Sequence, residues 1–239
     1  MMRIDKLIET ELHTTRKEMK RLFLAKKVKI DGEVEMNGSR NVDSLIHRIE
    51  VDGMYLKTNE SYFLLHKPKG AVTAVKDQKR TTVIDLFASA DRRPDLYPVG
   101  RLDRDTSGLL LITSNGQLGY ELLHPEKKVA KTYQVTVNSL LDQEDIAAFK
   151  KGITFLDGTV CQPAELHILE AAPAESTALV TIWEGKFHQV KKMFLARGTK
   201  VTSLERKTMG PLTLDLRLLP GQYRSLTLSE LKKLKEYFK

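Results

Sequence analysis

The sequence predicts an α+β fold in which a small N-terminal unit precedes a larger domain built on a mainly antiparallel mixed sheet. Three observations lead there. Segments of strand character outnumber helical ones and follow no regular strand-helix alternation, which argues against a doubly wound parallel sheet. Apolar residues fill 41% of the 239 positions, enough to bury a sizeable core in one medium domain or in a small one joined to a larger one. Finally, Lys57-Thr58-Asn59-Glu60-Ser61 is polar, lacks periodicity and stands before an apolar run, as a linker would. The expected division is 1–57, a linker at 58–61, and 62–239.

In the N-terminal unit, Ile4, Leu7, Ile8 and Leu12 recur at helical spacing and predict a short amphipathic helix. Thr15 with Glu18 three residues on fits a capping box, opening a second helix whose apolar face is Met19, Leu22 and Phe23 and whose other face is basic. Val28 and Ile30 then alternate with Lys27 and Lys29, Asp31-Gly32 supplies a tight turn, and Val34 and Met36 resume the alternation, which predicts a hairpin. Ile49 and Val51 suggest one more strand, ending at Asp52-Gly53.

In the larger domain, Tyr62 to Leu65 reads as a buried strand closed by Lys67-Pro68-Lys69-Gly70, and Leu109 to Thr113 as another closed by Asn115-Gly116. Tyr133 to Val137 alternates cleanly, and Ala178 to Trp183 is a further strand. Helices are expected at Gln117 to Leu123, stopped by His124-Pro125, around Asp145 to Lys151, stopped by Gly152, and at His188 to Ala196, ended by Arg197-Gly198.

Charge and composition narrow the function. The net charge of +8 implies an electropositive surface, suited to nucleic acid or an anionic membrane. Between His13 and Ile30 the one acid, Glu18, stands against Arg16, Lys17, Lys20, Arg21, Lys26, Lys27 and Lys29, and phosphate neutralisation is the simplest use of such a patch. No apolar run approaches membrane-spanning length, and Met1-Met2-Arg3-Ile4-Asp5-Lys6 lacks a signal-peptide core, so a cytoplasmic protein without membrane partners is expected. The single cysteine, Cys161, rules out an intramolecular disulfide, and the six histidines lack ligand spacing, so no metal site is expected.

The chemistry concentrates in Pro98 to Thr113, where Asp103 lies between Arg101 and Arg104 ahead of the apolar run Leu109 to Ile112. A carboxylate flanked by cations and hydroxyls is favoured in its ionised form, which suits nucleophilic work. Asp105 with Thr106, Ser107 and Gly108 reads as ordinary turn chemistry. The string Asp103-Arg104-Asp105-Thr106 is also similar to the phospho-aspartate motif of haloacid-dehalogenase-type phosphatases. In that motif, however, the acids follow an apolar strand and the Thr comes one residue later.

Three further strings accompany this segment: Leu65-His66-Lys67-Pro68-Lys69-Gly70, Lys131-Thr132-Tyr133, and Glu184-Gly185-Lys186-Phe187-His188-Gln189-Val190-Lys191-Lys192-Met193-Phe194. With Gly100-Arg101-Leu102-Asp103, and with the tail Met209-Gly210-Pro211-Leu212 and Leu219 to Thr227, they resemble the Rsu-type pseudouridine synthases in order and spacing along the whole chain. The stretch Arg3-Ile4-Asp5-Lys6-Leu7-Ile8, the basic second helix and Val28-Lys29-Ile30-Asp31-Gly32 resemble the S4 RNA-binding domain.

The resemblance implies isomerisation of a uridine to pseudouridine in ribosomal RNA by a reaction needing neither cofactor nor metal. The Gly185 to Lys191 string looks closer to the branch that modifies 16S RNA than to the 23S-modifying branch. Asp103 matches the family's essential aspartate, Lys191 its basic partner, and Tyr133 the tyrosine suited to stacking on the base and to proton transfer at C5. Arg101 matches the residue that fills the gap left by the extruded base. Here Lys186, Lys191 and Lys192 replace the commoner arginines, giving point contacts in place of forks.

RNA contacts are expected at Arg3, Arg16, Lys17, Lys20, Arg21, Lys26 and Lys27, and in the motifs at Lys67, Lys186, His188, Gln189 and Lys192. The partner expected is ribosomal RNA or an assembly intermediate of the ribosome, bound by a monomer. A large-subunit enzyme and a non-catalytic RNA-binding assembly factor are the alternative readings; a pure binder has no need of Asp103, Tyr133 and Lys191 together.

Overall fold

The computed structural model describes residues 2–238. The N-terminal portion runs β1 (Met2–Arg3), α1 (Ile4–Leu12), α2 (Arg16–Leu24), β2 (Val28–Ile30), β3 (Glu33–Val34), β4 (Asn41–Val42), β5 (Ile49–Val51) and β6 (Met54–Tyr55). Thr15 and Glu18 complete the capping box reciprocally. One face of α1 and the strand residues Val28, Ile30, Ile49 and Val51 close a small core, against which Met19, Leu22 and Phe23 of α2 pack. Val34 and Met36 do not join it. The strand order β3-β2-β5-β6 makes β3 a two-residue edge, which leaves Val34 and Met36 exposed. At Asp52-Gly53, both with positive φ, the chain turns straight into β6.

The rest of the chain follows as β7 (Tyr62–Lys67), β8 (Tyr97–Pro98), β9 (Ser107–Thr113), α3 (Gly116–Leu123), β10 (Lys131–Val137) and α4 (Gln143–Lys151), then β11 (Glu165–Ala171), β12 (Ser176–Ile182), α5 (Gln189–Ala196), β13 (Val201–Met209), β14 (Leu212–Thr213), β15 (Tyr223–Ser225) and α6 (Leu228–Lys233). Its strands form one mixed sheet in the order β11-β12-β10-β13-β9-β7-β15, with β8 beside β9 and β14 beside β13. Every pairing is antiparallel except β13 with β9.

The apolar run of β9 is buried on both faces of this sheet. Leu110 and Ile112 join the core beneath α4 and α5, while Leu109 and Leu111 join the one beneath α3 and α6. Strands β11, β13 and β15 had no clear signature in the sequence. In β13 the buried residues are Leu204, Arg206 and Met209, and register shifts against β10 interrupt the two-residue period. Among the described residues no helix is long and apolar enough to cross a membrane.

Candidate active site

Asp103 sits in the loop joining β8 to β9, and the segment after β7 holds that loop in place. The ammonium of Lys67, at the end of β7, is fully buried and donates to the carbonyl oxygens of Pro68 (3.0 Å), Asp103 (3.0 Å) and Thr106 (2.9 Å). Thr73 brackets Leu102, donating to its carbonyl and accepting from its N–H, and the Gly70 N–H donates to the Arg104 carbonyl at 2.7 Å. The Thr106 N–H donates to the Asp103 carbonyl. Satisfied carbonyls on both sides fix the backbone that carries the carboxylate.

That carboxylate opens into a cleft of about 740 Å³ shared by the Asp103 loop, β10, β13 and the Glu184–Lys191 segment. Lys191 Nζ stands 3.0 Å from Asp103 Oδ2 and 2.6 Å from Asp105 Oδ1, and His188 Nε2 lies 3.4 Å from Asp103 Oδ1. Lys191 is delivered by α5, whose Val190, Met193 and Phe194 face the core and leave Lys191 on the flank. Burial works against its charge, but hydrogen bonds to Asp105 and Asp103 outweigh that and raise its pKa above the ordinary lysine value. The Lys191 hydrogen bond likewise holds Asp105 below the usual carboxylate range, against the opposing effect of burial. Asp105 is thus more than a turn residue, because it is the second acceptor that orients Lys191.

Tyr133 is buried on β10 and lines the same cleft, with no hydrogen bond to its hydroxyl among the described residues. Arg101 stands exposed at the cleft wall and has no ion pair among the described residues. Phe187, which also lines the cleft, is 71% exposed and stacks on His188 with ring centroids 3.8 Å apart, an apolar platform open to a base.

Several expected RNA contacts have other duties. Lys67 is spent on the carbonyls of its own loop, and its complete burial removes it from any phosphate. Gln189 is also buried, its Oε1 accepting from the Lys186 N–H and its Nε2 donating to Glu184, so it shapes the turn before α5. Arg3, Lys27, Lys186 and Lys192 are paired with Asp5, Asp52, Glu184 and Asp157 respectively, which weakens their draw on phosphate. His188 faces Asp103. The exposed cations Arg16, Lys17, Lys20, Arg21 and Lys26 carry no ion pair among the described residues.

No sequence motif marks the floor of the cleft. Arg206 of β13 is 1% exposed, donates from Nε to the Leu109 carbonyl at 2.7 Å, and has no partner for Nη2 among the described residues. The buried Thr106 Oγ1 likewise has none. Lys131, two residues before Tyr133 on the same strand face and also lining the cleft, is pushed down to about 8 by burial and then by the charge of Arg206. The available signal was an arginine two residues from Leu204, in the inward phase of a strand. Among the described residues no three His, Cys, Asp or Glu side chains gather as a metal site would.

Residues 61–196 match the model of a family described as RNA pseudouridylate synthase. The chain is 39% identical over 236 residues to YtzG, an uncharacterized RNA pseudouridine synthase of Bacillus subtilis, covering 98% of this chain and 99% of that one. It is 35% identical to ribosomal small subunit pseudouridine synthase A of Pseudomonas aeruginosa, covering 96% and 99% of the two chains. Against ribosomal large subunit pseudouridine synthase B of Bacillus subtilis it is 36% identical, covering 98% and 96%. Among solved structures it resembles a pseudouridylate synthase at a TM-score of 0.67 and 34% identity, covering 98% of this chain and all of the other.

Proposed function

Since the chain belongs to the RNA pseudouridylate synthase family and isomerises uridine in RNA to pseudouridine, we propose that its substrate is a uridine of the small-subunit ribosomal RNA and that Asp103 is the group on which the reaction turns. The carrying observation is the Asp103 carboxylate, paired to Lys191 at 3.0 Å inside a cleft that Tyr133 also lines. Asp103 acts at the reacting nucleoside, and Lys191, tied to Asp105 as well, keeps the carboxylate aimed. Tyr133 offers a face for the turned base and a hydroxyl not engaged elsewhere, suited to moving the C5 proton. Arg101, exposed and unpaired, fills the stack that the extruded base vacates, offsetting part of a cost of a few kcal/mol. The isomerisation gains and loses no atoms, so it calls for neither a redox cofactor nor a metal.

Residues 1–57 act as an S4-like RNA-binding unit joined at 58–61 to the catalytic domain at 62–239. Its unpaired cations on α2 meet phosphates. The protein works as a cytoplasmic monomer on ribosomal RNA or a ribosomal assembly intermediate. The small-subunit assignment draws on the Gly185-Lys186-Phe187-His188-Gln189-Val190-Lys191 string and on the small-subunit relatives. Large-subunit RNA is the second reading, since one large-subunit relative is 36% identical. Mapping pseudouridine across both ribosomal RNAs, in cells with and without this gene, separates them. Loss of a small-subunit site on deletion is the expected outcome; loss confined to large-subunit RNA would overturn the assignment.

A further inference from the structure

We propose that Arg206 receives the extruded uracil, its free Nη2 N–H donating to a carbonyl oxygen of the base and stabilising the negative charge that the base carries once it is detached from the ribose. This rests on the synthase reading and adds a substrate-contacting residue to it. Arg206 is 1% exposed, and its Nε is satisfied by the Leu109 carbonyl while Nη2 is not satisfied at all. No acid forms an ion pair with it among the described residues. A buried cation with an unmet donor is costly in a finished core, and the cost is removed when an acceptor arrives. Arg206 lines the cleft that holds Asp103 and Tyr133, which brings an acceptor seated there to its side chain.

The sheet sets the alignment. Tyr133 and Arg206 are partners across the β10–β13 ladder, so they occupy neighbouring positions on one face. On its other side β13 runs parallel to β9, with Arg206 against Gly108, which ties the guanidinium to the strand leaving the Asp103 loop. A base lying on Tyr133 therefore turns an edge towards Arg206. Thr106 Oγ1, also buried without a partner at the cleft, can serve the same edge. The burial of Arg206 keeps phosphates away from this floor position.

The bond from C1′ to N1 breaks with its electron pair on the base, whose charge is shared among N1 and the two carbonyl oxygens. C5 then bonds to C1′, the C5 proton is released and N1 regains one, leaving an isomer. A guanidinium has only donors, so it fits carbonyl oxygens and disfavours the amino edge of cytosine. Placed in a site closed to water, it stabilises the detached base more than the bound nucleoside.

The test is a single-turnover comparison on synthetic RNA carrying the target uridine, first located by mapping RNA treated with the wild-type protein. Parallel RNAs carry 2-thiouridine or 4-thiouridine there, sulfur being the poorer acceptor. On uridine RNA, Arg206→Met is expected to lower the rate constant about a hundredfold, with RNA affinity within about twofold. One of the thio substitutions should slow the wild type about tenfold and leave Arg206→Met no slower than it already is. Arg206→Lys, which keeps the charge and the buried stem but moves the donor, carries the same comparison if the methionine variant does not fold. No thio effect in the wild type, or equal thio effects in wild type and variant, would overturn the contact. Absence of any pseudouridine from the wild-type protein is a separate result that removes the synthase reading, and this proposal with it.

Discussion

The buried ammonium of Lys67 holds the backbone of the Asp103 loop through the carbonyls of Asp103 and Thr106. Asp103, Tyr133 and Lys191 were legible because each sits in a motif with a distinctive neighbourhood, and the structure brings all three to one cleft. Lys67 stands in a Lys-Pro-Lys-Gly string with the look of an exposed turn, and nothing local reveals the loop carbonyls that arrive from residues 103–106. Burial pushes Lys67 down to about 8, with Asp103 and Asp105 resisting and Arg206 and Lys191 assisting, and Lys131 is pushed down to about 8 as well. Both folded-state values lie below the unfolded lysine value near 10.4. The folded protein therefore loses these protons first, and their contribution to folding stability rises as pH climbs from about 8 towards 10.4. Activity should move the other way. Above about pH 8 the clamp on the Asp103 loop and the positive floor lose charge, so the single-turnover rate is expected to fall by up to tenfold per pH unit. Following that rate at saturating RNA from pH 7 to pH 9, with urea unfolding of the free protein at the same pH values, checks both halves. A flat rate profile would contradict the role given to these lysines.

At the scale of elements, the parallel contact between β9 and β13 is the least conventional part of the sheet and the one nearest the chemistry. Strand β10, the antiparallel neighbour of β13, announced itself by clean alternation from Tyr133 to Val137, whereas β13 carries Thr202, Ser203, Glu205, Arg206, Lys207 and Thr208 and reads as a polar loop. Its burial comes from partners distant in sequence. Gly108 makes the contact possible, since with φ at +109° a Cβ there would lie 2.3 Å from the Arg206 carbonyl oxygen. Gly108→Ala is accordingly expected to cost on the order of 3 kcal/mol or more, from the strained backbone and the clash together. Urea unfolding measures it. Gly116, where a Cβ would meet nothing, provides the control, and an equal, small effect of Ala at both positions would show that the strands do not need this approach.

In the whole molecule, the basic helix α2 proposed to capture RNA and the cleft proposed for isomerisation belong to portions of the chain joined by fixed contacts. Tyr62 at the start of β7 hydrogen-bonds Asp43 and accepts from Asn115, and Lys235 near the C-terminus pairs with Asp31 at 2.8 Å. The basic helix was readable from charge alone, while these contacts were not, because they join residues up to 204 positions apart. Replacing Arg16, Lys17, Lys20 and Arg21 together by alanine should weaken RNA binding most at low salt. It should also reduce the slope of log K against log salt by up to about three, at roughly 0.7 per lost phosphate contact. Titrations at several salt concentrations decide this, and an unchanged slope would make the patch a merely solvated face. The most direct test of the central claim compares purified wild-type protein with Asp103→Asn, which keeps the shape and removes the charge. Each is incubated with ribosomal RNA, pseudouridine is mapped, and RNA affinity is measured alongside. The account predicts discrete new pseudouridines from the wild type and none from Asp103→Asn at nearly unchanged affinity; substantial conversion by the asparagine variant would contradict it.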